Sequence, residues 1–143
     1  MRTLVVDANV IMSTLITAGG KAASVLLQPP AEVKLVSCHF LQIELFKHKS
    51  RIEAFSGLSE AALLELLYEL LSGIEFINEA YIPFACWQQA HRLLLDVDPN
   101  DIPYVALAIH LNAFLWTGDR KLQEGLAAKG FENCVQTAEV LRW

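Results

Sequence analysis

Two short apolar runs that end on aspartate constrain this chain more than any other feature. Thr3-Leu4-Val5-Val6 is closed by Asp7, and Ala113-Phe114-Leu115-Trp116-Thr117 by Gly118-Asp119. Apolar runs this short, bounded by polar or turn residues, read as buried strands. Val33–Ser37, Ile74–Ile77 and Cys134–Val135 are further strand candidates. Helical segments fill the gaps. Val10–Leu15 is broken by Gly19-Gly20, and Lys21–Gln28 is stopped by Pro29-Pro30. His39–Phe55 has helical character with Gly57 after it, and Ser59-Glu60 opens Ala61–Leu71. Phe84–Leu95 has Pro83 just inside its start, and Pro103–Leu111 follows the turn Asp98-Pro99-Asn100-Asp101. Asp119 starts another helix, and Thr137–Leu141 finishes the chain. Strands alternating with helices predict an α/β fold, a parallel sheet covered on both faces.

At 143 residues the chain has the size of one domain, and a 54% hydrophobic, 19% charged composition excludes a disordered one. Cys38, Cys86 and Cys134 form no CxxC pair, which excludes a zinc finger or disulfide framework and suits a reducing compartment. A net charge of −5 argues against a global basic footprint for nucleic acid and leaves room for a small basic patch. Asp7 interrupts the apolar N-terminus too early for a signal-peptide core. The longest stretch without Asp, Glu, Lys or Arg, Ile102–Gly118, is too short and too polar to span a membrane. The expectation is a soluble cytoplasmic protein with no membrane partner.

The five aspartates are Asp7, Asp96, Asp98, Asp101 and Asp119. Asp7 and Asp119 stand at the carboxyl ends of predicted strands, where open parallel sheets form ligand sites. Asp101 begins the helix that feeds the second of those strands. Glu44 lies on the half-apolar side of its helix, where an unpaired charge needs a partner such as a cation. Each has a plainer reading. Asp7, Asp101 and Asp119 all stand where helix caps stand, Glu44 reads as a snorkelling surface residue, and Asp96 and Asp98 as exposed turn residues. Together the carboxylates would repel one another unless something positive sits among them. Oxygen ligands suit a hard divalent cation, and no HExxH spacing or thiolate cluster points to zinc.

The opening Leu4-Val5-Val6-Asp7-Ala8-Asn9-Val10, the helix carrying Glu44, the segment Asp98–Ala108 and the stretch Leu115–Leu122 resemble, in order and spacing, the motifs of the PIN-domain family. The resemblance spans essentially the whole chain, 1–143, as a single PIN-like domain. It implies a three-layer α/β/α fold with a central parallel β-sheet. It also implies a ribonuclease that uses one or two Mg²⁺ or Mn²⁺ ions to hydrolyse RNA phosphodiester bonds. The family's acidic quartet, catalytic and metal-binding, falls on Asp7, Glu44, Asp101 and Asp119. Asn9, Asp98 and Thr117 take supporting positions. Many members are the toxin half of VapBC-like toxin–antitoxin pairs, which implies a cognate antitoxin and, by family habit, a homodimer. The segment Gly118-Asp119-Arg120-Lys121-Leu122 departs from the commonest toxin ending while keeping the metal carboxylate.

Phosphates beyond the scissile one need cations. Lys47, Lys49 and Arg51 surround His48 on the predicted helix of Glu44, and Arg120 and Lys121 follow Asp119. Lys47, Arg51, Arg120 and Lys121 are therefore the RNA-contact candidates, against the plain reading of a solvated helix face. Trp116 is expected in the core. The leucines at 63, 64, 66, 67, 70 and 71 exceed one apolar stripe, so a partner or deep burial must take the surplus. A catalytically silent PIN-like module that binds RNA or protein is the rival reading. A haloacid-dehalogenase-type phosphohydrolase is a second, although Asn9 stands where its second aspartate would. No GxGxxG or GxxxxGK[ST] supports a nucleotide-binding module.

Overall fold

The computed structural model describes residues 1–17 and 20–143. In chain order these form β1 (Arg2–Val6), α1 (Ala8–Thr17), α2 (Lys21–Leu27), β2 (Val33–Cys38), α3 (Phe40–Lys47), α4 (Lys49–Ser56), α5 (Glu60–Ser72) and β3 (Glu75–Ile77). A 3-10 turn, Glu79–Tyr81, leads to α6 (Phe84–Leu94), and a second, Pro99–Asp101, leads to α7 (Ile102–Leu111). Then come β4 (Phe114–Trp116), α8 (Arg120–Ala127), β5 (Cys134–Val135) and α9 (Thr137–Val140). Of the expected Gly19-Gly20 break, Gly19 lies outside the described residues and Gly20 stands just before α2.

Every strand pairing is parallel, in the order β3-β2-β1-β4-β5. This bears out the three-layer α/β/α expectation. Right-handed crossovers put α1–α5 on one face and α6–α8 on the other. Packing agrees: α1 meets α3, α4 and α5, while α7 lies along β1, β2 and β4 with α6 against it. Tyr104, Val105, Ala106, Leu107 and Ala108 are all buried, so α7 is covered on nearly every side. That accounts for its continuous apolar run, and Asn112 in the left-handed region ends it. Trp116 is fully buried, as expected, and its indole N–H donates to Thr137 Oγ1 at 3.0 Å.

Strand order reverses direction at β1. The chain builds β2 and β3 on one side of it, then crosses to place β4 and β5 on the other. The crevice beyond the carboxyl ends of β1 and β4 is thus the topological switch point. Val6 pairs with Trp116. The next residue on each strand path is therefore Asp7 and Thr117.

One expectation needs correction. The helix predicted over His39–Phe55 is two helices, broken at His48, whose φ of −102° and ψ of 16° leave the helical region. The break turns α4 onto α1 and α5, where Ile52 is buried. Lys49 and Arg51 consequently belong to α4, not to the helix of Glu44.

Candidate active site

Asp7 leaves the central strand at the switch point and is 1% exposed. Its Oδ1 accepts the Val10 N–H at 3.1 Å, so one oxygen caps α1. Its Oδ2 is buried without a hydrogen-bond partner, and among the described residues it is the only side-chain polar atom in that condition. An orphaned carboxylate oxygen is costly and calls for an explanation, such as an ion. Burial pushes the Asp7 carboxyl up to about 7. The Val10 N–H, the Thr117 hydroxyl and the Asn9 N–H pull the other way, and the charge of Glu44 adds to the rise.

Asp101 is 7% exposed and stands at the start of α7, yet its side chain caps nothing. Asp98 does the capping instead, accepting the Asn100 N–H at 2.9 Å to close the 3-10 turn. The plain capping reading therefore fails for Asp101, and Asp98, expected as an exposed turn residue, is half-buried and caps the turn. Burial pushes the Asp101 carboxyl up to about 8, with repulsion from Asp7, Asp98, Glu44 and Asp119 contributing. Carboxylates from four separate segments of chain thus act on one buried group.

Glu44 is half-buried on α3, and the Tyr104 hydroxyl donates to its Oε1 at 2.5 Å. Asp119 is exposed. Its Oδ1 caps α8 by accepting the Leu122 N–H at 3.1 Å, and its own N–H donates to Thr117 Oγ1 at 3.1 Å. Thr117 is fully buried at the end of β4, next in register to Asp7 at the end of β1. Asn9 is exposed beside Asp7 and lines, with Gly118 and Asp119, an open cavity of about 330 Å³. Among the cations, Lys47, Arg51, Arg120 and Lys121 are exposed and make no ion pair among the described residues, whereas Lys49 pairs with Glu53 at 3.7 Å.

The sequence profile of the PIN domain matches residues 5–139, from β1 into α9. The chain belongs to the PIN-domain family. Among solved structures it is similar to VapBC2 from Rickettsia felis bound to a DNA fragment from their promoter. That match has a TM-score of 0.68 at 15% identity over 94% of this chain and 96% of that one. VapBC-1 from nontypeable Haemophilus influenzae gives a TM-score of 0.67 at 16% identity over 95% and 98%. PAE2754 from Pyrobaculum aerophilum gives 0.66 at 16% identity over 99% and 88%. No curated protein matches the chain in sequence.

In this PIN domain the carboxylates share a field but do not form a finished cage. Among the described residues, no three His, Cys, Asp or Glu side chains converge closely enough to hold a metal. The donor set nevertheless fits a hard divalent cation: oxygen donors only, one of them the orphaned Oδ2 of Asp7. Mg²⁺ commonly uses one or two carboxylates and keeps several waters, so a closed cage is not required.

Two residues that sequence reasoning passed over set the position of Glu44. Tyr104, 1% exposed, is one, and a buried tyrosine hydroxyl in an apolar helix was the available signal. Glu79 is the other. Its carboxylate accepts the His39 N–H at 3.2 Å and the Phe40 N–H at 2.8 Å, capping α3 where His39 offers no side-chain cap. The two partners are remote in sequence, so no local signal exposed this cap.

Proposed function

We propose that this PIN domain is a divalent-metal-dependent ribonuclease that hydrolyses RNA phosphodiester bonds. The observation that carries the reading is the buried, unpartnered Oδ2 of Asp7 beside the buried, non-capping Asp101. Asp7 gives one oxygen to the α1 cap and leaves the other unpartnered, and Asp101 caps nothing. Burial raises the pKa of both, with repulsion from neighbouring carboxylates adding to the rise. Mg²⁺ or Mn²⁺, as one ion or two, would supply a water acidic enough to attack near neutral pH and charge neutralisation at the phosphate. Asp7 and Asp101 are the primary ligands in this reading. Glu44, oriented by Tyr104, and Asp119, fixed through its cap and Thr117, complete the acidic set. Asn9 and Asp98 support the carboxylates that follow or precede them. Lys47, Arg51, Arg120 and Lys121 are the cations available to flanking phosphates.

The likeness to VapBC proteins supports the further reading of a toxin that works with a cognate antitoxin in the cytoplasm. The exposed apolar side chains of α3 and α5, with Ile43, Phe46, Leu64 and Tyr68 each more than half exposed, support a contact surface there for a homodimer or for the antitoxin. The rival, a silent RNA- or protein-binding PIN module, draws on the unfinished cage. One experiment separates the two. The purified protein and its Asp7→Asn variant are incubated with a structured RNA pool in Mg²⁺, in Mn²⁺ and in chelator. Metal-dependent cleavage that the variant lacks supports the nuclease. Cleavage by neither protein in either metal supports the silent module.

A further inference from the structure

The face of α6 away from the core has no role in the site described above. Phe84, Trp87, Gln88, His91 and Arg92 recur at three- and four-residue spacing, so they form one stripe along the helix. Ala90 and Leu94, three and seven residues on from Trp87, are buried against the body of the fold, so Trp87 stands at the border between the core side of α6 and the stripe. With Ile102 the stripe lines an open groove of about 480 Å³. Phe84 is 74% exposed, and Trp87 is half-buried, packed against the core at the edge of the groove. The exposed Phe84 ring leaves a face open to a ligand in this groove.

Ile102, at one wall of the groove, immediately follows Asp101, and α6 packs against the 3-10 turn Pro99–Asp101. The wall of the groove therefore adjoins the segment that carries Asp101. The charge suits a polyanion. From Ala80 to Leu95 there is no acidic residue in a chain of net charge −5, and Arg92 makes no ion pair among the described residues.

We propose that the groove between α6 and the start of α7 binds single-stranded RNA, with Phe84 and Trp87 stacking on bases and Arg92 meeting a phosphate. This rests on the ribonuclease reading and names the state of its substrate. Aromatic faces stack on any base, whereas paired bases are withheld from them. Gln88 and His91 add hydrogen-bonding groups for base edges. A protein partner fits less well, because the stripe carries the cation Arg92, unpaired among the described residues, and the polar Gln88 and His91 rather than forming a closed apolar patch.

The test uses a short fluorescent single-stranded RNA and a duplex of the same sequence. Affinity is measured by anisotropy in the Asp7→Asn background, where cleavage does not interfere. Phe84→Ala and Trp87→Ala each weaken single-strand binding by about tenfold, and Trp87→Phe restores most of it. Arg92→Ala lowers the salt dependence of log K by about 0.7. RNA quenches tryptophan fluorescence in the parent but not in Trp87→Phe. Unchanged affinity in both alanine variants overturns the proposal, as does an equal loss in Trp87→Phe. If they bind normally while Asp7→Asn abolishes metal-dependent cleavage, the groove fails and the nuclease stands. If they lose RNA while the parent cleaves nothing in either metal, the nuclease fails and the groove stands.

Discussion

The Tyr104 hydroxyl donates to Glu44 Oε1 at 2.5 Å, joining α7 to α3 across 60 residues of sequence. The phenol is buried, and its ring also meets Phe40 at 6.0 Å, so its position is set by the core. Burial and the Glu44 charge raise the Tyr104 pKa, so the hydroxyl keeps its proton and remains a donor. A hydrogen bond to a charged group contributes about 1.5–3 kcal/mol. Tyr104→Phe should therefore lower stability by about 1–2 kcal/mol, since Glu44 can turn partly to solvent. It should also weaken metal-dependent cleavage while leaving the fold intact. A double-mutant cycle with Glu44→Gln, read by thermal denaturation, should give a coupling of about 1 kcal/mol or more. Additive effects would show that the contact does not hold Glu44.

Asp7 and Asp101 make the metal-free protein sensitive to pH in a defined direction. Their folded pKa values, about 7 and about 8, lie above the ordinary carboxylate range. Between about pH 4 and pH 8 the folded state therefore binds more protons than the unfolded one, and stability falls as pH rises. In chelator, the melting temperature should be higher at pH 5 than at pH 8, by on the order of 5 °C. Asn can still cap α1, so Asp7→Asn should flatten this slope and raise stability at pH 8. Melting curves across pH for both proteins check the sign. A slope rising toward pH 8 would mean that these carboxylates are not strained in the folded state.

Most of the architecture was legible because the strands are short apolar runs ended by turn chemistry. Asp7 and Asp119 could be placed at strand ends on that basis alone. The break at His48 was not legible, because Leu41, Leu45 and Ile52 fit one continuous apolar stripe, and only tertiary packing bends it. The sequence also could not separate caps from free carboxylates. All three aspartates occupy cap positions, yet Asp101 caps nothing while its neighbour Asp98 does. Register decides a further point. Thr117, rather than Asp119, is the residue beside Asp7, and this follows only from the pairing of Val6 with Trp116. The leucine-rich helix divides likewise: Leu63 and Leu70 are buried, whereas Leu64 is 56% exposed.

Metal should stabilise the fold through the same two carboxylates. A ligand that binds only the folded state at a hundred times its Kd adds about 2.7 kcal/mol. Mg²⁺ or Mn²⁺ should raise the melting temperature with concentration, more at pH 8 than at pH 6, because binding competes with protons at Asp7 and Asp101. Asp101→Asn should remove most of this gain. A metal-induced shift that survives Asp101→Asn unchanged would place the ion elsewhere.

Asp119 carries two separable duties in this reading, and paired substitutions tell them apart. Its Oδ1 caps α8, and its charge belongs to the acidic set acting on Asp101. Asparagine keeps the capping oxygen and loses the charge, whereas alanine loses both. Asp119→Asn should leave stability within about 0.5 kcal/mol, and Asp119→Ala should lower it by about 1 kcal/mol. Both should lose metal-dependent cleavage to a similar extent. If only the alanine variant loses activity, the residue serves as a helix cap and the charge at this position is dispensable.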